Sequence, residues 1–281
     1  MGGRPDHPTT AVSFGGRPPL AEAKVDRISG SVDLLDEAAG RIKAHLDRRG
    51  TAGLPELLDE VVREHPSMAL RINLATAVRS AMHAGHDEAS EALDRFLLGL
   101  VKSRLRAAAG FAALVHENGW TRAATYSRSG QVRECLASSR QAGLSEVLLS
   151  EARPACEGVL LAKELRGEGF RVTLTTDGAL PGLLKDVQFV VVGADACFEK
   201  SFVNKVGTAS LLREAQSLNL PTVVLAVPEK QLHGEASTAW KNLPLDRPRL
   251  LGRLPKGVTW AGELFEAVPW ELVTQTIGPS L

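Results

Sequence analysis

Phe189-Val190-Val191-Val192-Gly193-Ala194-Asp195 is the stretch on which the fold turns. Four successive apolar residues leave no polar face, so the segment reads as a strand buried on both sides. Gly193 lets the backbone turn sharply at the strand's end, and Asp195 projects beyond it. Strands of this kind belong to parallel sheets covered by helices. Such sheets bind ligands where loops leave the carboxyl ends of their strands.

Outward from that strand the same texture repeats. Short apolar runs at residues 123–126, 147–149, 172–175 and 222–227 alternate with helical patterns near 130–139, 156–166, 180–184 and 203–218. This alternation predicts an α/β fold, a Rossmann-like parallel-sheet C-terminal domain over residues 119–281. Upstream, Val25, Ile28, Val32, Leu35, Ala39, Ile42 and Leu46 recur at three- and four-residue steps, forming one helical stripe. Further helices are expected over 54–62, with Pro55 in the first turn, over 68–82 and over 89–115. Residues 21–118 are therefore expected to form an α-helical N-terminal domain. Residues 1–20, rich in Gly, Pro, Arg and Thr, are expected to be a disordered tail.

Lys plus Arg and Asp plus Glu each number 33, giving a formal net charge of +0, which argues against a surface built to gather nucleic acid or anionic membrane. A local anion pocket needs only a few donors and stays open. No apolar run approaches the roughly 18–20 residues that span a bilayer. Cys135, Cys156 and Cys197 are odd in number and scattered, which fits a reducing cytoplasm better than a disulfide framework. Neither these cysteines nor the seven histidines have metal-ligand spacing, so no metal is expected.

The loops after the strands hold the candidate chemistry. Asp195 reads either as a turn former and helix cap or as a general acid/base or hydroxyl-binding carboxylate. Asn204-Lys205-Val206-Gly207-Thr208 reads as a helix start. Its free N–H groups, with Lys205 and Asn204, would make an anion site, or it is an ordinary surface helix start. Gly207 there suggests close packing or close ligand approach. Thr125-Tyr126-Ser127-Arg128-Ser129-Gly130 supplies hydroxyls and a cation between a strand and a helix. It is not a Walker loop, and no G-x-G-x-x-G follows any strand. Arg153 either clamps an anion or pairs with Glu151 or Glu157, and Pro154 is suited to starting the next helix. Cys197 reads as a small core residue, with a place in the pocket as the alternative.

In this order the segments resemble a known superfamily. It comprises the alpha, beta and delta subunits of translation initiation factor 2B, methylthioribose-1-phosphate isomerase and ribose-1,5-bisphosphate isomerase. The resemblance rests on Thr125-Tyr126-Ser127-Arg128-Ser129, Glu151-Ala152-Arg153-Pro154 with Glu157-Gly158, Val191-Val192-Gly193-Ala194-Asp195, Asn204-Lys205-Val206-Gly207-Thr208 and Phe265-Glu266-Ala267-Val268-Pro269. It implies dimers or higher assemblies, possible related subunits, and in the enzymes a cofactor-free conversion of aldose to ketose phosphate by a Cys and an Asp. The Asp matches Asp195, and the substrate-holding Asn and Lys match Asn204 and Lys205. The Cys falls on Thr125, whose hydroxyl is far too weak an acid to replace a thiol. The arginine-rich N-terminal signature of the methylthioribose enzyme is absent, which disfavours that substrate.

Two readings follow. The first is a family member that binds a sugar phosphate, nucleotide or related phosphorylated metabolite in a regulatory or assembly role. Its binding residues are Tyr126, Ser127, Arg128, Ser129, Arg153, Asn204, Lys205 and Lys230. The second is an aldose-phosphate isomerase using Asp195.

Overall fold

A computed structural model describes residues 31–245 and 254–278. The expectations for residues 1–30, Val25 and Ile28 among them, lie outside the described residues. Four helices come first: α1 (Ser31–Arg49), α2 (Leu54–Glu64), α3 (Ala69–Ala81) and α4 (His86–Asn118). The α1 stripe of Leu35, Ala39, Ile42 and Leu46 meets Leu54 and Leu58 of α2, Leu70, Leu74 and Val78 of α3, and Leu93 and Leu100 of α4 in one core. Helix α4 has 33 residues, about 50 Å at 1.5 Å per residue. Its first half buries Leu93 and Leu100 among the helices, while Ala107, Phe111 and Val115 pack under the sheet that follows.

That sheet is built from β1 (Arg122–Thr125), β2 (Glu146–Ser150), β3 (Arg171–Thr175), β4 (Phe189–Gly193), β7 (Thr222–Leu225) and β9 (Gln275–Ile277), in the order β3-β2-β1-β4-β7-β9. All its pairings are parallel. Helices α5 (Gly130–Ser138), α6 (Glu157–Gly167) and α7 (Thr208–Ser217) supply the crossovers. Strand β4 shows why its sequence is apolar at every step. Phe189 and Val191 face the layer of α4, α5 and α6, where Trp120 stacks on Phe189 with ring centroids 4.2 Å apart. Val190 and Val192 face the opposite layer with Leu211 and Leu212 of α7. Alternate residues thus fill two different cores.

The strand order reverses between β1 and β4, which pair directly through Ala123–Phe189, Ala124–Val190 and Thr125–Val191. From β1 the chain proceeds outward to β2 and β3, then returns to β4 and continues to the other edge. The loops leaving β1 and β4 therefore diverge and open a crevice at their carboxyl ends.

The expected helix over 203–218 is corrected. Ser201–Lys205 is a strand, β6, and the helix begins only at Thr208. β6 lies between β5 (Ala196–Cys197) and β8 (Phe265–Pro269) in a small antiparallel sheet, with Phe202 opposite Val268 and Asn204 opposite Glu266. A five-residue strand is too short to outweigh the helical spacing that follows it, and its partner lies far along the chain. The region expected as a helix over 180–184 is a 3-10 turn, Pro181–Asp186. Pro154 does not open α6, which begins at Glu157. A short helix, α8 (Gly234–Ala239), follows β7.

Gly158, in the first turn of α6, sits against the carbonyl of Ser150 at the end of β2, and a Cβ there would overlap that oxygen. Gly158→Ala is expected to destabilise the protein by about 1–3 kcal/mol or more, as overpacking does. Urea unfolding measures it, and an unchanged midpoint would contradict this packing.

Candidate functional site

The crevice at the β1/β4 switch is assembled from three loops. After β1, Tyr126 is buried and its hydroxyl donates to the carbonyl of Val206 at 2.8 Å. This contact explains Gly207, where a Cβ would stand 2.8 Å from that hydroxyl and φ is +106°. Ser127 adopts the left-handed region at φ 64°, a costly conformation for a non-glycine residue. Its Oγ donates to Oε1 of Glu157 at 2.9 Å. Arg128 pairs with Glu164 of α6 at 2.7 Å. Ser129 caps α5 by accepting from the Val132 N–H at 3.3 Å. Gly193 makes room for it, since a Cβ there would lie 2.7 Å from the Ser129 Oγ.

After β4, the backbone N–H of Asp195 donates to the carbonyl of Val203 at 2.8 Å, tying the loop to β6. The Asp195 carboxylate is half-buried and accepts no hydrogen bond from any described residue. Burial raises its pKa above the ordinary carboxylate value; the ammonium groups of Lys230 and Lys205 oppose that shift, and Glu157 reinforces it. Lys230, in the turn after β7, is buried and donates to the Ala194 carbonyl at 2.5 Å. Burial lowers its pKa, against the pull of Asp195. Asn204 and Lys205 end β6. Asn204 donates to Thr208 Oγ1 at 3.1 Å, and buried Lys205 meets Oε1 of Glu157 at 2.5 Å.

Tyr126, Ser127, Arg128, Ser129, Ala194, Asp195, Asn204 and Lys230 together line a pocket of about 30 Å³. Lys205 stands behind it, held by Glu157. Three residues named from sequence are elsewhere. Thr125 is fully buried, does not line the pocket, and leaves its hydroxyl without a partner. Arg153 is exposed and pairs with Glu151 at 3.2 Å. Cys197 is buried in the core beneath, its thiol pushed up to about 12 by burial. Among the described residues no group of His, Cys, Asp and Glu has the makings of a metal site.

The anion site expected at an Asn204-Lys205 helix start is also corrected. These residues are in a strand, and the N-terminus of α7 is already filled. Oε1 of Glu266 accepts from the N–H groups of Gly207 and Ala209, each at 2.8 Å. The N-terminus of α5 lies at the pocket, approached through Ser127, Arg128 and Ser129.

Glu157 and Glu266 were not among the site residues expected from sequence. Glu157 is a first-turn helix glutamate, a position where acids are common for capping reasons alone. Glu266 is the sole charge in Phe265-Glu266-Ala267-Val268-Pro269, and that oddity is a usable signal.

With this geometry in hand, the model of the initiation factor 2 subunit family, IF-2B, matches residues 55–249. The chain belongs to the initiation factor 2 subunit family. It is 28% identical over 260 residues to a putative translation initiation factor eIF-2B subunit 2-like protein of Pyrococcus furiosus, covering 90% of this chain and 91% of that one. It is 38% identical over 82 residues to a ribose 1,5-bisphosphate isomerase of Archaeoglobus fulgidus, a match covering 29% of this chain and 26% of the isomerase. The crystal structure of the Pyrococcus horikoshii OT3 translation initiation factor eIF-2B has a TM-score of 0.76 at 25% identity, covering 90% of each chain. The family's fold, a helical N-terminal region followed by a parallel-sheet α/β domain, is the one described above.

The raised pKa of Asp195 has a thermodynamic consequence. The folded state holds this proton more tightly than the unfolded state, so folding stability falls as pH rises from the ordinary value near 3.8 through the raised one. Wild-type stability minus that of Asp195→Asn is expected to decline across this window in denaturant titrations. A difference that grows with pH would contradict the burial of this carboxyl.

Proposed function

We propose that this family member binds a phosphorylated sugar or a related phosphorylated metabolite at the β1/β4 switch, in a regulatory or assembly role. The observation that carries the reading is the convergence of Arg128, Ser127, Ser129, Asn204, Lys230 and Asp195 on one pocket. Arg128 and the serine hydroxyls stand at the N-terminus of α5, which supplies the donors and partial positive charge that a phosphate needs. Asp195 and Asn204 face inward as acceptors and donors for sugar hydroxyls. The pocket is small, at about 30 Å³, so a sugar phosphate requires it to widen. The Arg128–Glu164 pair is partly exposed, and separating such a pair costs little.

An assembly role is supported by the family's subunit-named relatives, and the partner surfaces would belong to further copies or to related subunits. Zero net charge gives nucleic acid no general attraction. The free cysteines are compatible with a cytoplasmic setting.

A second reading, aldose-to-ketose isomerisation, is favoured by Asp195 alone. It is a carboxyl lining the pocket whose burial raises its pKa, the direction a general acid needs. Against it stands Thr125. Its hydroxyl is fully buried in the sheet and does not line this pocket.

A single preparation tests both readings. Ribose 1-phosphate at about 100 times its Kd adds about 2.7 kcal/mol to stability, a shift of several degrees in Tm. Arg128→Ala is expected to reduce that shift, and no ketose phosphate is expected to accumulate. Absence of a shift across a panel of sugar phosphates would contradict the binding reading. Turnover lost in Asp195→Asn would establish the isomerase instead.

A further inference from the structure

We propose that Asn73 of α3 is a positioning residue for Lys230, so that the helical domain sets where this ammonium stands in the strand-end pocket. What Lys230 then does for a ligand rests on the binding reading above; the hold itself does not.

Helix α3 is apolar on two faces. Leu70, Leu74 and Val78 join the core of the helical domain. Ala69 and Ile72 face the other way and pack with Ala196, Val203 and Leu232 beside β5 and β6. Asn73 follows Ile72 and lies four residues after Ala69, so it shares that second face. There its Nδ2 donates to the carbonyls of Glu229 and Gln231, each at 2.8 Å. An amide nitrogen carries two hydrogens, and both go to the main chain, one on either side of Lys230. A side chain of the helical domain thus pins the turn after β7 at the residue that the turn delivers.

The hold matters because of where Lys230 ends. It lines the pocket, its side chain is buried, and Nζ donates to the carbonyl of Ala194 at 2.5 Å, beside Asp195. The same face of α3 also approaches Asp195, since the N–H of Ala69 meets the Asp195 carbonyl at 3.4 Å. Two further contacts hold the turn without bracketing Lys230. Ser103 of α4 donates to Oε1 of Glu229 at 2.9 Å, and the Leu232 N–H donates to the Cys197 carbonyl at 2.9 Å. They keep the turn in place when Asn73 is truncated, so the expected result of that loss is a released Lys230 in a folded protein.

Acetylation of the full chain by an N-hydroxysuccinimide ester, read lysine by lysine by mass spectrometry, tests the hold without any ligand. Lys205 is also buried but is held by Glu157, which makes it the internal control. Asn73→Ala is expected to acetylate at Lys230 about tenfold faster than wild type, the scale of two lost hydrogen bonds, with Lys205 unchanged. Equal acceleration at both lysines would mean general loosening and would overturn the proposal, as would no acceleration at either. Should Asn73→Ala fail to fold, Asn73→Ser, which keeps a single donor, is expected to give the same pattern more weakly. Isothermal titration with ribose 1-phosphate then shows whether the hold serves the pocket. Asn73→Ala is expected to weaken binding about tenfold on its own and to add nothing in a Lys230→Met background. Equal weakening in both backgrounds would also overturn the proposal. A wild type that binds no sugar phosphate would overturn the binding reading, while the labelling would still decide whether Asn73 positions Lys230.

Discussion

Strand β4 is buried on both faces, and that constraint organises the rest of the molecule. Its alternating residues must be covered by helices on one side and by α7 on the other, so both cores grow around it. Because β1 pairs beside it and the chain runs outward from the two in opposite directions, their loops diverge at the carboxyl ends. Whatever chemistry the chain performs there is placed by this reversal. Ser127 and Asp195 meet although 68 positions apart only because Thr125 lies in register with Val191.

The small antiparallel sheet then shapes the pocket's charge. β6 delivers Lys205 to Glu157, and β8 delivers Glu266 to the start of α7. Both acids satisfy groups that would otherwise be buried without partners. Removing one partner of a buried pair typically costs about 3–5 kcal/mol, whereas a surface pair contributes about 1 kcal/mol or less. Behind the pocket therefore stands a buried set, Lys205, Glu157 and Glu266, while its lining includes Arg128, whose pair with Glu164 is partly exposed.

Much of this was legible in the sequence where the signal was local. Phe189-Val190-Val191-Val192 can be little else than a doubly buried strand, and the turn at its end is marked by Gly193. Tyr126, Ser127, Arg128, Ser129, Asp195, Asn204 and Lys230 do line one pocket. Failure came where long-range pairing decides. Ser201–Lys205 is a strand because β8, more than sixty positions later, pairs with it. Read alone, its last residues merge into the helical spacing of α7. The same error produced an anion site at α7, where Glu266 in fact occupies the helix end. Arg153 illustrates a different limit. Its two readings were separated only by the Glu151 side chain beside it.

Amide hydrogen exchange, with and without ribose 1-phosphate, tests the central claim most directly because it reports each helix N-terminus separately. The account predicts that ligand slows exchange over residues 127–132, where the loop and the α5 N-terminus close on the phosphate. Residues 207–209, already bonded to Glu266, should exchange at the same rate in both states. Slowing confined to residues 207–209, or no slowing at either helix, would contradict it.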